Sequence, residues 1–168
     1  MPAAEVLSLI RELDTQSVDV CLGGGWSVDA LLGEQTREHS DLDLWSASPD
    51  LEGLFRVIAA RGVDRIHPWP GDRPWNFVLH DGKSIRVDLH LYENMADGSI
   101  HYGSVLDPFI LPRAALSYQG VIDGVPIRCE DPSWAVSFHV GYVPRPSDRH
   151  DVLGLCKQYD IALPQDYR

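Results

Sequence analysis

Gly23-Gly24-Gly25-Trp26-Ser27-Val28-Asp29-Ala30-Leu31-Leu32-Gly33-Glu34-Gln35-Thr36-Arg37-Glu38-His39-Ser40-Asp41-Leu42-Asp43 sets a glycine turn ahead of a short helix and ends on two carboxylates one residue apart. Read as a strand, Asp41-Leu42-Asp43-Leu44-Trp45 turns Asp41, Asp43 and Trp45 to one face and Leu42 and Leu44 to the other, because strand side chains alternate with a period of two. Two carboxylates on one surface repel each other unless something positive lies between them. Mg²⁺, with its preference for hard oxygen ligands, is the simplest partner. The glycines supply the complementary part. Without side chains they let backbone N–H groups approach phosphate oxygens, and a helix opening at about Trp26 aims its positive end at the same place.

A third carboxylate follows from the same alternation. In Ile85-Arg86-Val87-Asp88-Leu89-His90-Leu91-Tyr92 the apolar residues take one face, and Arg86, Asp88, His90 and Tyr92 take the other. Beside the first acidic strand, Asp88 completes a triad able to hold two divalent ions about 3.5–4 Å apart, as in-line phosphoryl transfer requires. His90 shares that face, so an Asp-x-His metal pair is a weaker alternative.

Outward from these strands, Val6, Leu9, Ile10 and Leu13 mark an opening amphipathic helix, and Val18–Leu22 a short strand delivering the glycine turn. The helix from Trp26 to Leu32 stops at Gly33, and Thr36–Ser40 forms a polar loop. A helix over Leu51–Ala60 presents Leu51, Leu54, Phe55 and Ile58 on one side, with Pro49 near its start and Gly62 beyond its end. Pro68, Pro70 and Pro74 put a loop before a hairpin of 76–80 and 84–92 about Asp81-Gly82. A second hairpin joins 120–122 to 125–129 about Asp123-Gly124. Residues 93–118 are consistent with a substrate-facing insertion. Asp131-Pro132 starts a helix with Trp134, Ala135 and Phe138. After the Pro144 and Pro146 break, Ser147 is the expected cap of another with Val152, Leu155 and Tyr159. The predicted fold is α/β (α+β), a mixed, largely antiparallel sheet with packed helices. It forms one domain over 1–168, with the C-terminal helices at about 131–160.

Lys and Arg total 14 against 25 Asp and Glu, a formal charge of −11. That balance disfavours nucleic acid, whose phosphates demand clustered basic residues, and suits a cationic small molecule while also serving solubility. Cys21, Cys129 and Cys156 are too few and too dispersed for a disulfide framework or zinc knuckle, so free buried thiols are expected. No signal run and no bilayer-spanning stretch is present, and a cytoplasmic location is the expectation.

These residues carry a resemblance. Gly-Gly before a helix, Asp-x-Asp and a later single strand Asp resemble the nucleotidyltransferase superfamily related to DNA polymerase β. More narrowly, Gly24–Asp29, Gln35–Asp43 and Val87–His90, followed by Asp97-Gly98-Ser99-Ile100, resemble the small lincosamide nucleotidyltransferases and their aminoglycoside 2''-nucleotidyltransferase relatives. Phe138–Tyr142 and Asp148–Asp151 extend the likeness over most of the chain. Bulky Trp26 departs from the broad superfamily, which has a small residue there, and is shared with the antibiotic-modifying branch.

The resemblance implies a polymerase β-like fold, with Asp41, Asp43 and Asp88 as metal ligands and catalytic residues, Asp88 doubling as base for the acceptor hydroxyl. It implies two Mg²⁺, ATP or another nucleoside triphosphate held by Gly24, Gly25, Arg37 and Ser40, and a cationic antibiotic acceptor, lincosamide first and aminoglycoside second. A homodimer is an open expectation. A protein-adenylylating enzyme, a noncatalytic nucleotide-binding module and a His90-dependent metal hydrolase are the competing classes. Among the other polar residues, Asp29 is expected to tie its helix to a neighbouring loop and Trp26 to pack. Arg37 is free to meet phosphate or to pair with Asp29 or Glu38. His39 lies one step from the acids, His139 reads as a hydrogen-bonded core residue, and Asp148 and Asp151 as first-turn acids without a functional role.

Overall fold

Leu42 and Leu44 are fully buried, and so are Val87 and Leu89 on the neighbouring strand, which fixes which face of the sheet meets the main core. A computed structural model describes residues 1–68 and 71–168; Pro70 of the anticipated loop lies outside the described residues. The chain runs α1 (Ala3–Thr15), β1 (Val20–Leu22), α2 (Gly24–Leu32), β2 (Leu42–Ala47), α3 (Leu51–Ala60), β3 (Arg65–Ile66), β4 (Asn76–His80), β5 (Arg86–Asn94), β6 (Ser99–Gly103), β7 (Pro108–Pro112), β8 (Tyr118–Ile122), β9 (Val125–Cys129), α4 (Pro132–Ser137) and α5 (Pro146–Tyr159). The main sheet path is β3-β4-β5-β2-β1-β9-β8, with the β6–β7 hairpin extending from β5. The sheet is mixed and largely antiparallel. Its two parallel pairings, β2 with β5 and β1 with β9, lie at its centre.

The β2–β5 register places Asp43 beside Asp88 and Trp45 beside His90. One face of these strands, with Val20 and Leu22, joins the main core with α1, α3 and α2. The opposite face carries the acids and continues into a smaller core of Cys21, Trp45, Tyr92, Ile100, Leu111 and Leu116. All three cysteines are buried free thiols.

Several boundaries follow the anticipated chemistry. Gly33 caps α2 in the left-handed region at φ 83°, which its missing Cβ permits. Asp123 and Gly124, both at positive φ, close the β8–β9 hairpin as a two-residue turn. Asp131 caps α4 by accepting from Ser133 N at 2.9 Å and Trp134 N at 3.4 Å.

Other details differ. β2 begins at Leu42, leaving Asp41 just before the strand, and α2 begins at Gly24 rather than Trp26. The Asp81-Gly82 pair is part of a longer loop, with β5 starting at Arg86, because the Asp81 carboxylate accepts from Lys83 N and Ile85 N and holds that loop open. Phe55 lies at the α3 surface at 36% exposure and Val57 takes the buried place, since the helix stripe passes through Leu54, Val57 and Ile58. Ser147 does not cap α5. The Asp148 carboxylate accepts from Arg145 N at 2.8 Å instead, and Asp151 lies beyond the first turn. Residues 93–118 are largely ordered as the end of β5 and the β6–β7 hairpin. No helix among the described residues is long and apolar enough to cross a membrane.

Candidate active site

The polar face of β2 and β5 opens into a cavity of about 410 Å³, reached by Gly24, Gly25, Arg37, Ser40, Asp41, Asp43, Asp88 and His90. Every residue proposed from sequence for metal or nucleotide therefore meets at one place. The parallel register does this for Asp43 and Asp88, since neighbouring strands lie only about 4.8 Å apart.

The tightest potential metal group is Asp43, Asp88 and His90, each offering a ligand atom within 4.8 Å of the others. Asp41 lies outside this group but lines the same cavity, and His90, the partner of Asp88 in the alternative Asp-x-His pair, stands within it. His90 Nε2 is 3.5 Å from Asp43 Oδ1 and 3.8 Å from Asp88 Oδ1. Its Nδ1 is 2.9 Å from Tyr102 Oη, and its ring stacks on Trp45 with centroids 4.6 Å apart. Burial works against charge on this ring, but Asp43 and Asp88 outweigh it and hold the His90 pKa above the ordinary imidazole value.

The carboxylates show the opposite strain. Burial, reinforced by Asp43 and Asp41, pushes Asp88 up to about 6, although His90 and a 2.6 Å hydrogen bond from Asn76 Nδ2 partly offset this. Burial and then Asp43 raise Asp41, against a hydrogen bond from Ser40 Oγ at 3.1 Å. Acids raised by burial and by their neighbours carry more negative charge than His90 offsets, and hard oxygen donors at this spacing fit a divalent cation. On that ground the residues present fit the Mg²⁺ that the sequence implied.

The glycine turn has a second role that the sequence did not disclose. Gly24 adopts φ +52°, and a Cβ there would collide with the Asp43 carboxylate; a Cβ on Gly25 would collide with Arg37 and His39. The turn is thus packed against the acids as well as open to the cavity. Asp29 ties α2 to the following loop, accepting from Thr36 N at 2.9 Å, from Thr36 Oγ1 at 2.7 Å and pairing with His39. Trp26 is buried and packs on His39, and the His139 ring bonds Ala135 O at 2.7 Å while also bordering the cavity.

Arg37 pairs with neither Asp29 nor Glu38 through their carboxylates. Its guanidinium grips Asp151 of α5, with Nη2 to Oδ2 at 2.6 Å and Nε to Oδ1 at 2.9 Å, a contact that only the docking of α5 on α2 creates. Asp148, read as a bystander, borders the cavity and is held below the usual carboxylate range because its bonds from Arg145 overcome its burial.

Three cavity residues were missed from sequence, Tyr102, Glu130 and Arg145, and so was Asn76, which bonds the Asp88 carboxylate. Asn76 was reachable through the β4–β5 hairpin, whose register sets it opposite His90 and diagonal to Asp88. Glu130, an acid directly after an apolar strand, carried a weaker signal. It is 2% exposed, accepts from Trp45 Nε1 at 2.7 Å, and burial pushes its pKa up to about 8.

This fold is shared with nucleotidyltransferases: a solved lincosamide antibiotic adenylyltransferase, LnuA with lincomycin bound, matches at a TM-score of 0.81 and 23% identity, covering 96% of this chain and 99% of that one. The family model for aminoglycoside-2''-adenylyltransferase matches residues 5–155, and the chain belongs to that family. A 2''-aminoglycoside nucleotidyltransferase of Escherichia coli is 30% identical over 129 residues, 75% of this chain and 64% of the relative, so the chain spans less than two thirds of that protein's length. A lincosamide resistance protein of Staphylococcus haemolyticus is 24% identical over 152 residues, 90% of this chain and 92% of the relative.

Proposed function

We propose that the chain transfers AMP from ATP, with Mg²⁺, to a hydroxyl of a small cationic antibiotic, a lincosamide first and an aminoglycoside second. The observation that carries this reading is the in-register placement of Asp43 beside Asp88 in one cavity with Asp41 and the glycine turn. The lincosamide stands first because the relative matched over nearly the full length of both chains bears that name.

Asp43 and Asp88, with Asp41 alongside, would hold the metal, which when bound neutralises charge on the α-phosphate and acidifies the attacking hydroxyl. The open glycine turn and the N-terminus of α2 receive triphosphate oxygens, and the Arg37 and Arg145 guanidiniums border the same space. Asp88, with a pKa of about 6, is ionised at neutral pH and takes the hydroxyl proton. The acceptor oxygen then bonds the α-phosphorus, the α–β bridging bond breaks, and pyrophosphate leaves with that electron pair.

The test is mass spectrometry of lincomycin and tobramycin incubated separately with the protein, Mg²⁺ and each of the four common nucleoside triphosphates. The expected result is a single AMP adduct on lincomycin with ATP, with one pyrophosphate per adduct. If neither antibiotic gains a nucleotide while a co-incubated cellular protein does, a protein-modifying activity replaces this reading.

A further inference from the structure

One carboxylate at the cavity plays no part in the transfer chemistry above. Glu130 follows β9, is 2% exposed, and uses Oε1 to accept from Trp45 Nε1 at 2.7 Å. Its Oε2 is buried and has no hydrogen-bond partner among the described residues. Such an oxygen costs stability unless something satisfies it, and the negative charge of Asp43 makes matters worse rather than better. No arginine compensates from the cavity wall, since Arg37 is committed to Asp151 and Arg145 to Asp148, and His90 and the Ser27 hydroxyl offset the burial only in part.

The surroundings of Glu130 are aromatic. Trp45 has the Tyr102 ring at 4.8 Å and the Phe138 ring at 5.4 Å, and all three border the same cavity as Glu130. Ring faces attract organic cations, and although burial favours the protonated form of Glu130, an ammonium at this place favours its carboxylate and gives that attraction a direction. A phosphate or a carboxylic acid would be repelled here, and a neutral apolar group would leave Oε2 unsatisfied.

We propose that the inner end of the cavity, walled by Trp45, Tyr102 and Phe138 and closed by the Glu130 carboxylate, is a subsite for an alkylammonium group of the acceptor. The proposal rests on the reading of the acceptor as an amine and deepens it, since it names the residues that recognise the cation. Glu130 is a specificity residue in this scheme, and the hydroxyl and α-phosphate meet at Asp43 and Asp88 on the adjoining strands.

The Trp45 indole N–H bonds Glu130 directly, so its proton resonance, identified by its loss in Trp45→Phe, reports on the subsite. With Mg²⁺ present to fill the aspartate cluster, titration with ethylammonium chloride should shift that resonance saturably, whereas ethanol, the neutral analogue, should leave it in place. Glu130→Gln keeps the size and the Oε1 bond, and should abolish the response. An equal response to ethanol, or an unchanged ethylammonium response in Glu130→Gln, overturns the assignment. In turnover, Glu130→Gln should raise the lincomycin KM about tenfold or more, the scale of a lost buried hydrogen bond to a charged group, with the KM for ATP unmoved. A fall in kcat with the lincomycin KM intact would overturn it by placing Glu130 at the reacting hydroxyl. If no antibiotic is modified at all, the functional reading fails by itself, and the ethylammonium titration still decides the subsite.

Discussion

The two faces of β2 and β5 come from one alternating pattern, yet they are built to opposite rules. On one face Leu42, Leu44, Val87 and Leu89 are fully buried and pack beneath the helices. On the other, Asp43 and Asp88 stand in register with His90 close by, and burial, reinforced by Asp43 and Asp41, pushes Asp88 toward protonation. The first face gains free energy from every contact, as apolar burial does. The second concentrates more negative charge than His90 balances in a partly dry cavity, a state that favours any cation able to enter. Stability and chemistry are therefore separated by the thickness of a single strand, and substitutions one residue apart should have unlike consequences.

Asp43→Asn gives the sharpest contrast. If the polar face serves phosphoryl transfer, kcat should fall by several orders of magnitude with the fold retained, because the charge that holds the metal is gone. Thermal stability of the metal-free protein should hold or rise, since the mutual repulsion with Asp88 and Asp41 is relieved. Wild-type turnover at saturating Mg²⁺ would break the comparison outright. Next door, Leu44→Ala should do the reverse. Deleting a fully buried side chain costs about 2–5 kcal/mol, measured by urea unfolding, with turnover per folded molecule close to that of the parent.

A smaller effect concerns pH. In the free protein Glu130 keeps its proton up to about pH 8, whereas an unfolded glutamate ionises near 4.5. Between these values the native state binds the extra proton, so this group lowers stability as pH rises, and its cost is complete above pH 8. Glu130→Gln should accordingly gain stability relative to wild type across that window, by at most about 1.4 kcal/mol per pH unit, and the difference should level off beyond it. Parallel curves for the two proteins across that range would show that Glu130 is not desolvated as the structure indicates.

The mildest change is Asn76→Ala, which removes the 2.6 Å hydrogen bond that stabilises ionised Asp88. The Asp88 pKa should then climb further, and the acid limb of kcat/KM should move to higher pH with only a severalfold loss at the optimum. An unmoved acid limb would detach Asp88 from the pH dependence.

What was legible in the sequence was local. Alternation in 85–92, the glycine turn and the Asp123-Gly124 hairpin depend on neighbours in the chain, and the strands and the polar face were drawn from them. The displaced start of β2 at Leu42 is a modest failure of the same kind, since alternation alone does not mark where strand pairing begins. The missing pieces are long-range. Arg37 reaches Asp151 across 114 residues, and Glu130 comes to the cavity because β9 pairs in parallel with β1 through Leu22 and Cys129. No periodicity within either segment encodes those meetings. The approach of His90 to Asp43 was likewise a matter of register, because the parallel β2–β5 ladder sets His90 beside Trp45.

The Asp29 carboxylate, which holds Thr36 and His39, has a consequence for the timing of disorder. Without it the loop from Gly33 to Asp41 would be held chiefly by the Arg37 grip on Asp151, and fixing each of its residues costs about 1–2 kcal/mol of backbone entropy. Asp29 makes that loss occur during folding, so a ligand arriving at Arg37, Ser40 and Asp41 finds them already in place. Loosening this anchor should leave the chemistry of the acids intact and appear as slower, weaker capture of the ligand, a deficit of readiness rather than of reactivity.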